Sequence, residues 1–111
     1  RARAYVEAGA DGIMIHSRKK SPEEILKFCD LFRQEDKTTP IVVVPSSFNS
    51  VTEAELSEHG VNIVIYANQL TRSAFPAMQQ TAEDILRYHR AKEVDSRLLP
   101  IKDIITLIDE L

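Results

Sequence analysis

One cysteine in 111 residues, Cys29, excludes an internal disulfide framework. It sits in the apolar stretch Ile25–Phe32, where it reads as a small buried residue of a reduced, cytoplasmic protein. Glycine is scarce too, with three residues, and none of them builds a phosphate-cradling loop. No apolar run approaches the roughly 20 residues that span a bilayer, and the first residues do not form a secretory signal. A membrane partner is therefore not expected. Excess positive charge is absent too: the formal net charge is -3. The only tight basic run is Arg18-Lys19-Lys20, so no footprint for nucleic acid is present. Tryptophan is missing, and no nucleophile elbow occurs. What remains, 43% apolar and 28% charged residues, is ordinary globular composition.

Against that background three short apolar runs stand out, each ending abruptly on polar residues. They are Asp11-Gly12-Ile13-Met14-Ile15-His16-Ser17, Ile41-Val42-Val43-Val44-Pro45-Ser46-Ser47 and Ile63-Val64-Ile65-Tyr66-Ala67-Asn68-Gln69. Continuous rather than alternating apolar residues predict strands of a parallel sheet flanked by helices, near 11–16, 41–45 and 62–67. Helices are expected near 1–8, 22–34, 53–59, 71–90 and 101–109. Ser21-Pro22-Glu23-Glu24 has the order of a helix start, with Ser21 as cap, Pro22 at the first position and Glu24 three residues on. Thr52 and Glu55 repeat the capping-box spacing, and Gly9 and Gly60 mark helix stops.

Apolar periodicity puts Ile25, Phe28, Cys29 and Phe32 on one helical face. It does the same for Phe75, Met78, Ala82, Ile85, Leu86 and His89, with Pro76 expected in the first turn of that helix. Ile101, Ile104, Ile105 and Ile108 form a third buried stripe. The whole reads as an α/β fold of one domain. The chain opens at Arg1 inside a helical pattern, and three strands alone leave two sheet edges unpaired. The expectation is a C-terminal piece of something larger.

In parallel α/β folds, substrates bind at the C-terminal ends of the strands, and polar residues gather there in this chain. His16 ends the first strand, where an imidazole can give a hydrogen bond or a proton to an anionic group. It is the candidate catalytic residue. Ser17 beside it either orients His16 or touches substrate, although serine is common at any strand-to-loop turn. Arg18, Lys19 and Lys20 raise the local potential for an anion, or are simply solvated. Ser46, Ser47 and Asn49 offer hydroxyls and an amide after the second strand. Asn68 and Gln69 do so after the third, where Tyr66 shares the parity of Asn68; an amide there equally serves to pin a loop. His59 and His89 read as structural. No Asp or Glu ends any strand, so this stretch supplies no evident metal ligands.

Ala8-Gly9-Ala10-Asp11-Gly12-Ile13-Met14-Ile15-His16-Ser17-Arg18-Lys19, then Val43-Val44-Pro45-Ser46, Val64-Ile65-Tyr66-Ala67-Asn68 and Pro100-Ile101-Lys102-Asp103-Ile104, resemble in order the phosphoenolpyruvate mutase family. That family belongs to the isocitrate lyase superfamily of magnesium-dependent (β/α)8 barrels. The resemblance implies the last three strands of a TIM-type barrel plus its closing C-terminal helices. It also implies interconversion of phosphoenolpyruvate and phosphonopyruvate, the carbon-phosphorus bond-forming step of phosphonate biosynthesis, by a protein whose partner is that small-molecule substrate. Magnesium would be held by acidic residues preceding Arg1, so this stretch alone is expected to be inactive. An arginine, an asparagine and a histidine surround the moving phosphoryl group in the family, and His16 matches the histidine. A homo-oligomer exchanging the helix at 70–90 is implied as well.

Phosphonopyruvate hydrolase has a very similar ending, including the His-Ser pair, and other lyases of the superfamily share the barrel. The Tyr66-Ala67-Asn68 and Pro100-Ile101-Lys102 stretches favour the mutase. Non-enzymatic readings are a regulatory receiver-like module or a scaffold barrel. A receiver needs acidic residues at strand ends, where this chain has His16, Ser46 and Asn68.

Overall fold

Ile13, Met14 and Ile15 pair in parallel with Ile41, Val42 and Val43, which pair in parallel with Ile63 and Val64. This computed structural model describes residues 1–107. The elements run α1 (Ala2–Glu7), β1 (Ile13–Ile15), α2 (Glu23–Glu35), β2 (Ile41–Val43), α3 (Glu53–Glu58), β3 (Ile63–Val64), α4 (Gln69–Tyr88), a 3-10 segment (Lys92–Arg97) and α5 (Ile101–Ile105). Three parallel strands alternate with helices in the sheet order β1-β2-β3. Each strand is shorter than the bounds expected for it. The chain divides into two compact units, Arg1–Ala67 and the part from Asn68 onward. No described helix is long and apolar enough to cross a membrane.

In the first unit, Ile13, Ile25, Cys29, Phe32, Ile41, Val43, Phe48, Leu56 and Val61 make one buried core. Cys29 lies within it, and desolvation pushes its thiol up to about 11. Phe28 is half-buried at the rim, with its ring stacked 5.7 Å from that of Phe32. α1 and α3 end alike. At the first, Gly9 N–H bonds Val6 C=O and Ala10 N–H bonds Tyr5 C=O; at the second, Gly60 N–H bonds Ser57 C=O and Val61 N–H bonds Leu56 C=O. These paired bonds need a left-handed residue, and φ is +98° at Gly9 and +83° at Gly60.

At the start of α3, the Thr52 hydroxyl accepts the Glu55 N–H while the Glu55 carboxylate accepts the Thr52 N–H at 2.7 Å. The Thr52 N–H first, then the Thr52 hydroxyl, which donates to the same carboxylate at 2.8 Å, hold Glu55 below the usual carboxylate range. Thr52→Ala removes this cap and is expected to cost about 1 kcal/mol, read as a lower urea midpoint. The start of α2 differs from the expected capping box. Ser21 Oγ accepts the Glu23 N–H, but Pro22 is the residue that precedes the helix, which leaves Ser21 one step further out. Glu24 does not turn back to Ser21; its carboxylate is taken by Ser17.

α2 is tied to the rest of the unit by Arg33, a role its position on a helix does not announce. Its guanidinium donates to Gly60 C=O from Nε (3.1 Å) and Nη2 (2.8 Å), to Asn62 Oδ1 (2.7 Å) and to Asp36 C=O (3.0 Å). Asn62 Oδ1 in turn accepts the Ile41 N–H, so one side chain joins α2, the α3–β3 turn and the head of β2. Just after α2, Asp36 accepts the N–H groups of Thr38 and Thr39 and the Thr39 hydroxyl. Those bonds, the hydroxyl's first, lower its pKa from 3.8 to about 2. A depressed carboxylate stabilises the fold above its unfolded value, and that contribution fades as pH falls toward the folded value. The Asp36 carboxyl carbon should therefore titrate by NMR near 2, and Thr39→Val should return the midpoint toward the ordinary aspartate range.

In the second unit, α4 begins two residues before its expected start, so Pro76 lies in the helix interior instead of the first turn. A proline there offers no N–H to the carbonyl of Arg72. Thr81 Oγ1 and Ser73 Oγ bond carbonyls of the preceding turn. The apolar stripe expected to be buried is exposed among the described residues: Phe75 is 64% and Leu86 73% accessible. His89 is not on that stripe. It follows the helix as its left-handed cap, at φ 52°, and is exposed. Arg97 pairs with Asp84 and Arg90 with Glu93, and Val94 is buried. Ile101, Ile104 and Ile105 of α5 are exposed instead of buried, since no described residue packs over them; Ile108 and the expected end of that helix lie outside the described residues.

Candidate functional site

Side chains alternate along a strand, so the pairing fixes which strand-end residues share a face. Ile13, Ile41 and Val43 are buried beneath the helices, and Ser17 and Pro45 continue that set and are buried too. Met14 (66% accessible), Ile63 and Ile65 lie on the opposite, open face, as do Val42 and Val44 by parity. His16, next after β1, continues this open set and is exposed, whereas Ser46 lies three residues past β2, where its N–H bonds Val44 C=O at 2.8 Å and the chain turns. The sheet thus separates the adjacent pair His16-Ser17: the imidazole stands on the open face and the hydroxyl beneath the helices. The His16 ring lies 6.4 Å from that of Phe48, tilted by 54°, against a side chain that is wholly buried. A fixed core residue is therefore the floor for an exposed imidazole.

Ser17 Oγ donates to Glu24 Oε2 at 2.6 Å and accepts the Lys19 N–H at 3.2 Å. Lys19 Nζ reaches the same carboxylate at 3.5 Å. The Ser17 hydroxyl first, then the Lys19 charge, hold Glu24 below the usual carboxylate range. Lys19 is thus turned to α2, while Arg18 and Lys20 face the other way. With Ser46, Ser47 and Asn49 they line an open cleft of about 430 Å³ beside the end of β2. Two cations, two hydroxyls and an amide make this a cleft suited to anions.

Asn68 opens the second unit and is exposed; its backbone N–H bonds Gln69 Oε1, and its side chain caps nothing. Tyr66 donates to Glu53 Oε1 at 2.8 Å, a bond that raises the phenol pKa and holds Tyr66 to the start of α3. His59 is structural, with Nδ1 2.6 Å from Asp30 Oδ1. Among the described residues no group of three His, Cys, Asp or Glu could hold a metal. Glu24 and Arg33 went unrecognised in the sequence. Nothing local links Ser17 to Glu24 or Arg33 to Gly60, because each contact crosses a turn whose path only the fold defines.

Comparison with known proteins agrees with the parallel α/β architecture. The family model for phosphoenolpyruvate phosphomutase matches residues 1–86. The chain is 42% identical over 108 residues to phosphonopyruvate hydrolase from Variovorax sp. (strain Pal2), covering 96% of this chain and 36% of that protein. It superposes on the crystal structure of phosphoenolpyruvate phosphomutase from Streptomyces platensis subsp. rosaceus with a TM-score of 0.85 at 34% identity, covering 94% of this chain and 35% of the other. A crystal structure of phosphonopyruvate hydrolase complexed with oxalate and Mg++ matches at 41% identity and TM-score 0.79, over 93% of this chain and 36% of that one. The chain spans about a third of the length of these relatives. Three parallel strands with their helices are the portion of the TIM-barrel architecture it shares with them, and the chain belongs to the phosphoenolpyruvate phosphomutase family.

Proposed function

We propose that the full-length protein interconverts phosphoenolpyruvate and phosphonopyruvate. The observation that carries this reading is His16 on the open face of a family-matching sheet, exposed at the end of β1 and seated against Phe48. In the reaction the bond from phosphorus to the enolate oxygen breaks and a bond from phosphorus to the adjacent carbon forms. Little proton chemistry is required, so catalysis rests on holding the phosphoryl group and stabilising its charge. His16 would give a hydrogen bond to a phosphoryl oxygen during the transfer. Arg18 and Lys20, turned away from Glu24, would raise the local concentration of the anionic substrate. Ser46 would present a hydroxyl in the cleft it shares with Arg18 and Lys20.

Magnesium is the expected cofactor, supported by the relative that binds it with oxalate. The described residues do not fit a magnesium site, so its ligands would come from outside them. A homo-oligomer that exchanges α4 is in keeping with the exposed Phe75, Met78 and Leu86.

The 42% identity to a hydrolase favours a second reading, in which water takes the phosphoryl group from phosphonopyruvate and leaves pyruvate. Phosphorus NMR of the full-length protein with phosphonopyruvate and magnesium separates the two. Phosphoenolpyruvate as product establishes the mutase, free phosphate establishes the hydrolase, and unchanged substrate removes both.

A further inference from the structure

Among the described residues, Ser17 is the one buried polar side chain, 5% accessible, and it adjoins the exposed His16. A buried hydroxyl is tolerated when its bonds are made, and this one makes two. It donates to Glu24 at 2.6 Å, a charge-assisted bond, and accepts the Lys19 N–H. Lys19 closes the set by reaching Glu24 from the other side. Residues 17 to 19 are thereby fastened to the first turn of α2. His16, by contrast, takes part in no side-chain hydrogen bond among the described residues and meets Phe48 only ring against ring. What aims its imidazole is the backbone it shares with Ser17.

We propose that Ser17 and Glu24 are positioning residues for His16. The Ser17–Glu24 bond holds the strand end so that the imidazole stands over Phe48 on the open face, and neither residue touches substrate. This rests on the reading that His16 serves the reaction. Its physical content is separate, since the position of the ring is measurable without turnover. Ser17→Ala leaves the Lys19 N–H without its partner and the Glu24 carboxylate with Lys19 Nζ alone, and lets the 17–21 loop shift. Displacements below an ångström at a reacting group are enough to cost about tenfold in rate.

The test uses the full-length protein, Ser17→Ala, and Glu24→Ala as a second variant at a solvent-facing position that leaves the core intact. Steady-state turnover of phosphonopyruvate is measured together with the His16 ring resonances by ¹H–¹³C NMR. Both variants should lower kcat about tenfold, change KM by no more than about twofold and displace the His16 resonances. Ser17→Thr, which keeps the donor hydroxyl, should restore most of kcat. Wild-type kcat in both variants overturns the proposal. So does a lower kcat with unmoved His16 resonances, which would mark the hydroxyl as a contributor to folding alone. If the unaltered protein turns over no substrate, the functional reading falls and the resonances decide by themselves: displaced in both variants, they support the positioning role, and unmoved, they overturn it.

Discussion

His16→Ala in the full-length protein should lower turnover of phosphonopyruvate by a factor on the order of 10², with the melting temperature unchanged. The two halves of this expectation have different causes. His16 is exposed and contributes no described hydrogen bond, so its removal takes only a rim contact from Phe48. Folding should not register that loss. A single preorganised donor aimed at transferring charge is, however, worth about 3 kcal/mol at a transition state, which is the stated loss of rate. The effect should fall on kcat more than on KM, because the charge on the moving phosphoryl group is spread during transfer and not in the bound ground state. His16→Gln, which keeps a donor of similar reach, should recover part of the rate. Unaltered kcat in His16→Ala would remove this residue from the mechanism, and with it the residue-level argument for the proposed activity.

Arg33→Ala should destabilise the fold of the first unit by about 2 to 3 kcal/mol. Its guanidinium satisfies Gly60 C=O twice, Asn62 Oδ1 and Asp36 C=O, and through Asn62 it steadies the N–H of Ile41. Bonds to a charged donor exceed neutral ones, but Arg33 is only half-buried and Asn62 exposed, so the sum is well below four full bonds. Arg33→Lys should not rescue: a point ammonium cannot reproduce the planar fork that reaches carbonyl and amide together. Gly60→Ala approaches the same site from the other side. A methyl there meets Arg33 Nε at 2.7 Å on a backbone already at φ +83°, so it should damage stability even with Arg33 intact. Urea unfolding of the full-length variants measures both, and wild-type midpoints would show that Arg33 does not hold the unit together.

Some of this was written in local sequence. The parallel sheet followed from Val/Ile runs without alternation, and the helix stops at Gly9 and Gly60 followed from the one residue that enters the left-handed region freely. The Thr52–Glu55 cap followed from spacing alone. Ser21-Pro22-Glu23-Glu24 carried the same kind of signal and yielded a different pairing, because a buried hydroxyl seven residues upstream competes for Glu24. The α4 and α5 stripes were legible as amphipathic; whether anything covers them was not, because a periodic pattern specifies a face and not its partner.

What the sequence determined by itself was the order of elements, the parallel sheet and the placement of His16, Ser17 and Ser46 at strand ends. Which of these face the open side was decided by the tertiary structure alone. An apolar residue at every position of a strand leaves no period of two to read, so the parity that separates His16 from Ser17 exists only once helices cover one side of the sheet. The same holds for Glu24 and Arg33: their partners are 7 and 27 residues away, and only the packing of α2 on the sheet brings a serine hydroxyl and a glycine carbonyl within reach of them.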